Sequence, residues 1–119
     1  MDIKIKRIYE PATVADGYRI LVDRLWPRGI SKSFAAIDWW DKDIAPSPQL
    51  RKWFAHDPGR WDKFSDLYRH ELEQNQSALD DFAAHVRGKN FITLLYAAKD
   101  EQHTHALVLQ TFLKKNLFK

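Results

Sequence analysis

Residues 91–96, Phe91-Ile92-Thr93-Leu94-Leu95-Tyr96, are an unbroken run of aromatic, β-branched and aliphatic side chains. Successive side chains of a strand point to opposite sides, so a strand of this composition must be covered on both. Strands of that kind belong inside parallel sheets with layers packed above and below. Ile20-Leu21-Val22, within residues 19–23, is a shorter run that makes the same demand. Ile3, Ile5 and Arg7 alternate with Lys4 and Lys6, which predicts a third strand.

Helical spacing occupies much of the remainder. Ser47-Pro48 reads as an N-cap followed by proline in the first turn, ahead of Leu50, Trp53 and Phe54. Asp57-Pro58 repeats the signal before Trp61, Phe64, Tyr68 and Leu72, which recur every three or four residues. Leu79, Phe82, Ala83 and Val86 form another stripe, with Gly88 as its stop. Ala106, Leu109, Leu113 and Leu117 form the last, widened by Val108 and Phe112, with Asp100 expected to cap it. Trp53 and Trp61 are expected in the core. Residues 37–44 read as extended chain or as a short helix. In either, the adjacent Trp39 and Trp40 face different ways. Strand, strand, helices, strand, helix is an α/β order. The expectation is a single compact domain over residues 1–119, with a small, mostly parallel central sheet flanked by helices.

Composition narrows the chemistry. There is no cysteine, which excludes disulfides, thiolate nucleophiles, zinc fingers and iron–sulfur clusters, and accords with a cytoplasmic protein. No stretch approaches the roughly 18 apolar residues of a membrane span. No apolar segment follows Met1-Asp2-Ile3-Lys4, so neither a secretion signal nor a membrane association is expected. The four glycines do not cluster into a phosphate loop, and no cofactor is expected. Ser31, Ser33, Ser47 and Ser65 lack the glycine-flanked elbow of a hydrolase nucleophile. His103 and His105 are two apart and diverge by roughly 200° on a helix, so no metal site is expected. His56, His70 and His85 have no ligand-like neighbours at useful spacing.

Net charge is small, 19 basic minus 16 acidic residues giving +3, but unevenly spread. Residues 19–32 hold Arg19, Arg24, Arg28 and Lys32 against Asp23 alone, while residues 62–81 hold six acids against Lys63 and Arg69. Nucleic-acid binders show a larger, continuous basic face, so nucleic acid is an unlikely partner. A small anion needs only two or three cations at one point.

Ligands of α/β folds gather at the carboxyl ends of parallel strands. If the two buried runs are parallel, residues 23–29 and 96–105 leave the sheet on one edge. Asp23-Arg24-Leu25-Trp26-Pro27-Arg28-Gly29 offers guanidinium forks for phosphate or carboxylate on a turn, with Pro27 expected second and Gly29 fourth. Tyr96-Ala97-Ala98-Lys99-Asp100 leads to a helix start, with His105 near the first turn as a candidate proton-transfer group. The expected ligand contacts are Arg24, Trp26, Arg28, Lys32, Tyr96, Lys99 and Asp100, with Asp23 orienting an arginine or acting as a base. The competing reading is structural: an Asp–Arg pair bracing a turn, Asp100 as a cap, and Trp26 as a core plug. Trp39 and Trp40 are further candidates for a pocket wall.

Three motif groups resemble a known family. They are Val22-Asp23-Arg24-Leu25-Trp26-Pro27-Arg28-Gly29 with Lys32, then Ala45-Pro46-Ser47, Leu50-Arg51, Trp53-Phe54 and His56-Asp57-Pro58, and finally Thr93-Leu94-Leu95-Tyr96-Ala97-Ala98-Lys99-Asp100 with His105-Ala106. The chain resembles the YeaO-like branch of the domain-of-unknown-function 488 family. The resemblance implies a compact bacterial α/β domain and supplies no reaction. Thr104 stands where that pattern usually has Asn. Longer members of the wider family carry a cysteine near the last strand, where this chain has Ala97 and Ala98. Three functions remain: an anion site with acid–base chemistry, a binding module without turnover, and a nucleic-acid or protein partner domain.

Overall fold

β4 (Phe91–Tyr96) lies inside a four-stranded sheet of order β1-β4-β2-β3, in which every neighbouring pair is parallel. The computed structural model describes residues 1–118. β1 (Asp2–Arg7) runs along one side of β4 and β2 (Tyr18–Leu21) along the other, placing Ile5 and Ile20 on either side of Leu94. β3 is only Trp39–Trp40, beside Ile20 and Leu21. Residues 39–40 are therefore extended, and the two tryptophans join the cores of opposite faces.

The two faces are covered differently. On the first, Ile3, Ile20, Leu94 and Tyr96 pack against four helices. These are α2 (Pro48–Phe54), α3 (Trp61–Gln74), α4 (Gln76–His85) and α5 (His105–Asn116), following the one-turn α1 (Lys32–Ala35). On the second face, Leu21 and Leu95 are covered by Ile8, by Ala35 of α1 and by the half-buried Trp26, Ile30, Ile37 and Trp40. No helix among the described residues is long and apolar enough to cross a membrane.

Two of the three caps read from the sequence are in place. Ser47 Oγ accepts from Leu50 N (3.1 Å), and Asp57 Oδ1 accepts from Gly59 N (2.9 Å) in a 3-10 turn that runs into α3. Three expectations are corrected. Asp100 does not cap α5; Thr104 does, its Oγ1 accepting from Ala106 N. The hydrogen-bonded turn spans residues 27–30, one later than expected, because Gly29 takes φ 77° and a positive φ belongs at the third position of such a turn. Trp53 is 39% exposed: seven-residue α2 buries Leu50 and Phe54, and Trp53 lies outside beneath the Arg60 guanidinium.

The β1–β2 connection is held down by a buried polar cluster. Asp16 accepts from Lys6, Thr13 and Arg19, while its own carbonyl accepts from Thr93 Oγ1 (2.6 Å). Burial raises the Asp16 carboxyl's pKa, but these donors outweigh it and hold the group at about 2. Gly17 must be glycine here: φ is 65°, and a Cβ would lie 2.5 Å from the Phe91 carbonyl oxygen.

Asp41 is the opposite case. It follows β3, is 4% exposed, and is pushed up to about 6, chiefly by burial and secondarily by Asp43 and Asp81 against the Ile44 N–H bond. A carboxyl whose folded pKa lies above its unfolded value costs nothing below about pH 4 and destabilises increasingly as pH rises through 6. Asp41→Asn keeps the acceptor for Ile44 N and removes the charge. Thermal melts should show wild type and variant together at pH 4, and the variant higher by a few degrees at pH 7.5. A variant no more stable at pH 7.5 would contradict this.

Candidate functional site

Because β2 and β4 are parallel neighbours, their carboxyl ends open on one edge. Val22 N extends the ladder to Leu95 O, and beyond it Asp23 Oδ2 accepts from Ala97 N (2.9 Å). That bond ties the two exit loops together at the floor of a cavity of about 590 Å³, within the range of roughly 300–1,000 Å³ typical of small-molecule sites. Its walls come from residues 23–28 after β2, from α2 and its exit, from Phe64 of α3, and from residues 97–105 after β4.

Seven of the nine residues expected from sequence line this cavity: Asp23, Arg24, Trp26, Arg28, Lys99, Asp100 and His105. Tyr96 and Lys32 do not. Tyr96 is 2% exposed and packs in the helix-covered core, because the strand's alternation turns it to that face. Lys32 begins α1, outside the lining. Trp39 and Trp40 also lie outside the lining. Trp39 stacks on His85 at 3.7 Å, and Trp40 Nε1 donates to the Asp23 carbonyl (2.7 Å), fixing the start of the loop.

Within the cavity, structural and free groups separate. The Arg24 guanidinium donates to the carbonyls of Pro46 and Ala45 (3.3 Å each), bracing the wall. Trp26 donates to Ile30 O and meets Trp40 edge-on, so it is plug and wall at once. Asp100 accepts from Gln102 N, His103 N and His103 Nδ1, and these bonds lower its pKa. By contrast, the side chains of Arg28, Arg51 and Lys99 make no hydrogen bond or salt bridge among the described residues. Four cationic side chains against two carboxylates leave the lining two charges positive before any histidine is counted.

Sequence reasoning missed Arg51 and His56. Both line the cavity and lie close enough to Asp23 for their charges to favour its ionised form. His56 is delivered by an unusual exit: Ala55 (φ 48°) and His56 (φ 55°) are consecutive left-handed residues, and neither is glycine. Each such residue costs on the order of 1–2 kcal/mol, and strain of this kind concentrates at binding sites. The motif quoted around His56-Asp57-Pro58 was the available signal, but it also reads as a helix cap.

Asp23 faces His105. Its Oδ1 is 3.3 Å from His105 Nε2, which also lies 2.9 Å from the Val22 carbonyl oxygen. Burial raises the Asp23 carboxyl's pKa, opposed by the charge of His105, the Ala97 N–H bond, Arg51 and His56. No arginine bonds to Asp23 among the described residues; the side chain its free oxygen faces is the His105 imidazole. No group of three or more His, Asp or Glu among the described residues is arranged to hold a metal ion.

Comparison with known proteins returns one family. The model described as the inactive DUF488-N3 subclade, DUF488-N3i, matches residues 2–119. The chain is 47% identical over 114 residues to the uncharacterized protein YeaO of Escherichia coli K12, covering 96% of this chain and 98% of that one. It is 38% identical over 111 residues to the uncharacterized protein Rv3073c of Mycobacterium tuberculosis H37Rv, covering 93% and 92%. No solved structure is significantly similar.

The two kinds of arginine should respond differently to truncation. Arg24→Ala strands two carbonyls and should cost about 1–3 kcal/mol in urea unfolding. Arg51→Ala removes no internal bond and should stay within about 0.5 kcal/mol of wild type. Equal losses would contradict this division.

Proposed function

We propose that this chain, which belongs to the DUF488-N3i family, binds a small organic anion in the cavity at the carboxyl edge of its sheet. The observation that carries the reading is the set of three cationic side chains, Arg28, Arg51 and Lys99, that line the cavity and have no protein partner. Arg28 comes from the loop after β2, Arg51 from α2 and Lys99 from the loop after β4. Convergence from separate elements is what recognition of a phosphate or carboxylate requires. The remaining wall, with Leu25, Trp26, Phe54, Phe64, Ala97 and Ala98, suits an apolar or flat organic body. A cavity of this shape favours a small ligand over a nucleic acid, which needs an extended basic face. The word "inactive" in the family's description, together with alanines where longer relatives carry a cysteine, favours binding without thiol chemistry.

The test is calorimetry with phenyl phosphate, benzoate and inorganic phosphate. One of the organic anions should bind at a single site. Arg28→Ala, Arg51→Ala and Lys99→Ala should each weaken it about tenfold or more, the scale of one charge-assisted hydrogen bond. The melting temperatures should stay near wild type. No binding by any anion, or affinities unchanged in all three variants, would contradict the proposal. Binding only to single-stranded nucleic acid, with steep salt dependence, would favour the partner-domain alternative.

A second reading, acid–base chemistry on the bound anion, is favoured by the contact between Asp23 and His105 at the cavity floor. It predicts that His105→Ala abolishes turnover while leaving anion affinity within about threefold, since the arginines supply the binding. A ligand recovered intact after prolonged incubation with wild type would contradict it.

A further inference from the structure

His105 carries information about its own protonation. The Val22 carbonyl oxygen can only accept a hydrogen bond, so the nitrogen 2.9 Å from it, Nε2, must carry hydrogen. Asp23 Oδ1 lies 3.3 Å from the same nitrogen and has no hydrogen-bond partner of its own. The other carboxylate oxygen is pinned by Ala97 N, so Asp23 cannot turn away without losing that bond. Carbonyl and carboxylate thus both face Nε2. Nδ1 makes no hydrogen bond among the described residues, on a side chain that lines the cavity.

We propose that Asp23 is a positioning residue that holds His105 as the Nε2–H tautomer, leaving Nδ1 as the atom through which the cavity exchanges a proton with its ligand. This rests on the reading of the cavity as an anion site, and it adds a ligand property. The ligand carries an acidic O–H or N–H beside its anionic group. In the step, the ligand's O–H or N–H bond breaks and its electron pair stays on the ligand. The Nδ1–H bond forms, and the resulting imidazolium lies against the Asp23 carboxylate. The ligand's added negative charge falls within reach of the unpartnered cations of the lining. No other reactant is required. The surrounding groups accord with this. Tyr68 of α3 presents its ring edge-on at 6.0 Å, and His103 of the same loop is bonded to Asp100. Arg51 and His56, from α2 and its exit, act on Asp23. Asp23 is therefore the carboxylate in contact with the imidazole.

The test needs no ligand, so its failure is separable from failure of the anion-binding reading. Long-range ¹H–¹⁵N correlation spectra of the labelled full chain at a pH where His105 is neutral report which ring nitrogen is protonated. His105→Gln assigns the signals by their loss. The expected result is protonated Nε2 and bare Nδ1. A predominant Nδ1–H tautomer would overturn the proposal. In Asp23→Asn, Ala97 N–H keeps the amide oxygen and the amide NH2 faces Nε2, which favours an acceptor at Nε2 in competition with the Val22 carbonyl. The population should move toward Nδ1–H. An unchanged tautomer would show that Val22 alone fixes the ring and would overturn the role of Asp23. Should that variant not fold, Asp23→Ser, which removes the charge, is read the same way.

Discussion

β4 has neither a polar face nor a free edge. Both of its ladders are taken, by β1 on one side and β2 on the other, and Ile92 to Tyr96 are buried. A strand with these requirements admits few arrangements: it must be central, and both faces must be covered. The helices α2 to α5 meet the need on one face. On the other, the connecting segments do so, and these must therefore carry their own polar anchors. The Asp16 and Arg19 cluster is one such anchor, with Arg19 donating to the Ala35 and Ala36 carbonyls that end α1.

The site follows from the same constraint. Parallel pairing sends β2 and β4 out of the sheet together, so Asp23 and Ala97 meet although 74 residues separate them. Once the loops are joined there, Trp40 holds the Asp23 carbonyl, Arg24 braces residues 45–46, and Thr104 starts α5 with His105 against the Val22 carbonyl. The internal bonds are spent on holding walls. Three cations, Arg28, Arg51 and Lys99, are among the groups left over, and the proposal of an anion site rests on them.

Much of this was legible. Runs of apolar residues demand burial whatever surrounds them, so β2, β4 and their shared edge could be inferred, and with them Asp23, Arg28, Lys99 and His105 as neighbours. Strand order could not, because no local pattern says that β4 inserts between β1 and β2. His56 was missed because a left-handed Ala55-His56 pair has no glycine to announce it, and Arg51 because no local pattern says which edge of the sheet α2 packs beside. Tyr96 looked like a site residue by proximity in sequence, but strand alternation turns it into the core. Trp53 looked like core by helical spacing, but α2 turns Leu50 and Phe54 inward and leaves Trp53 outside under Arg60. Asp100 looked like a cap because acidic residues commonly precede helices, yet Thr104 lies at the start itself.

We read the exits of β2 and β4 and the end of α2 as one ligand site. The most direct measurement is a titration of the ¹⁵N-labelled chain with phenyl phosphate, following every backbone amide. Saturable shifts should concentrate in residues 23–29, 51–56 and 97–106 and move together with one affinity. Shifts confined to the opposite edge, around residues 14–17 and 88–91, or scattered over exposed lysines with no saturation, would contradict it.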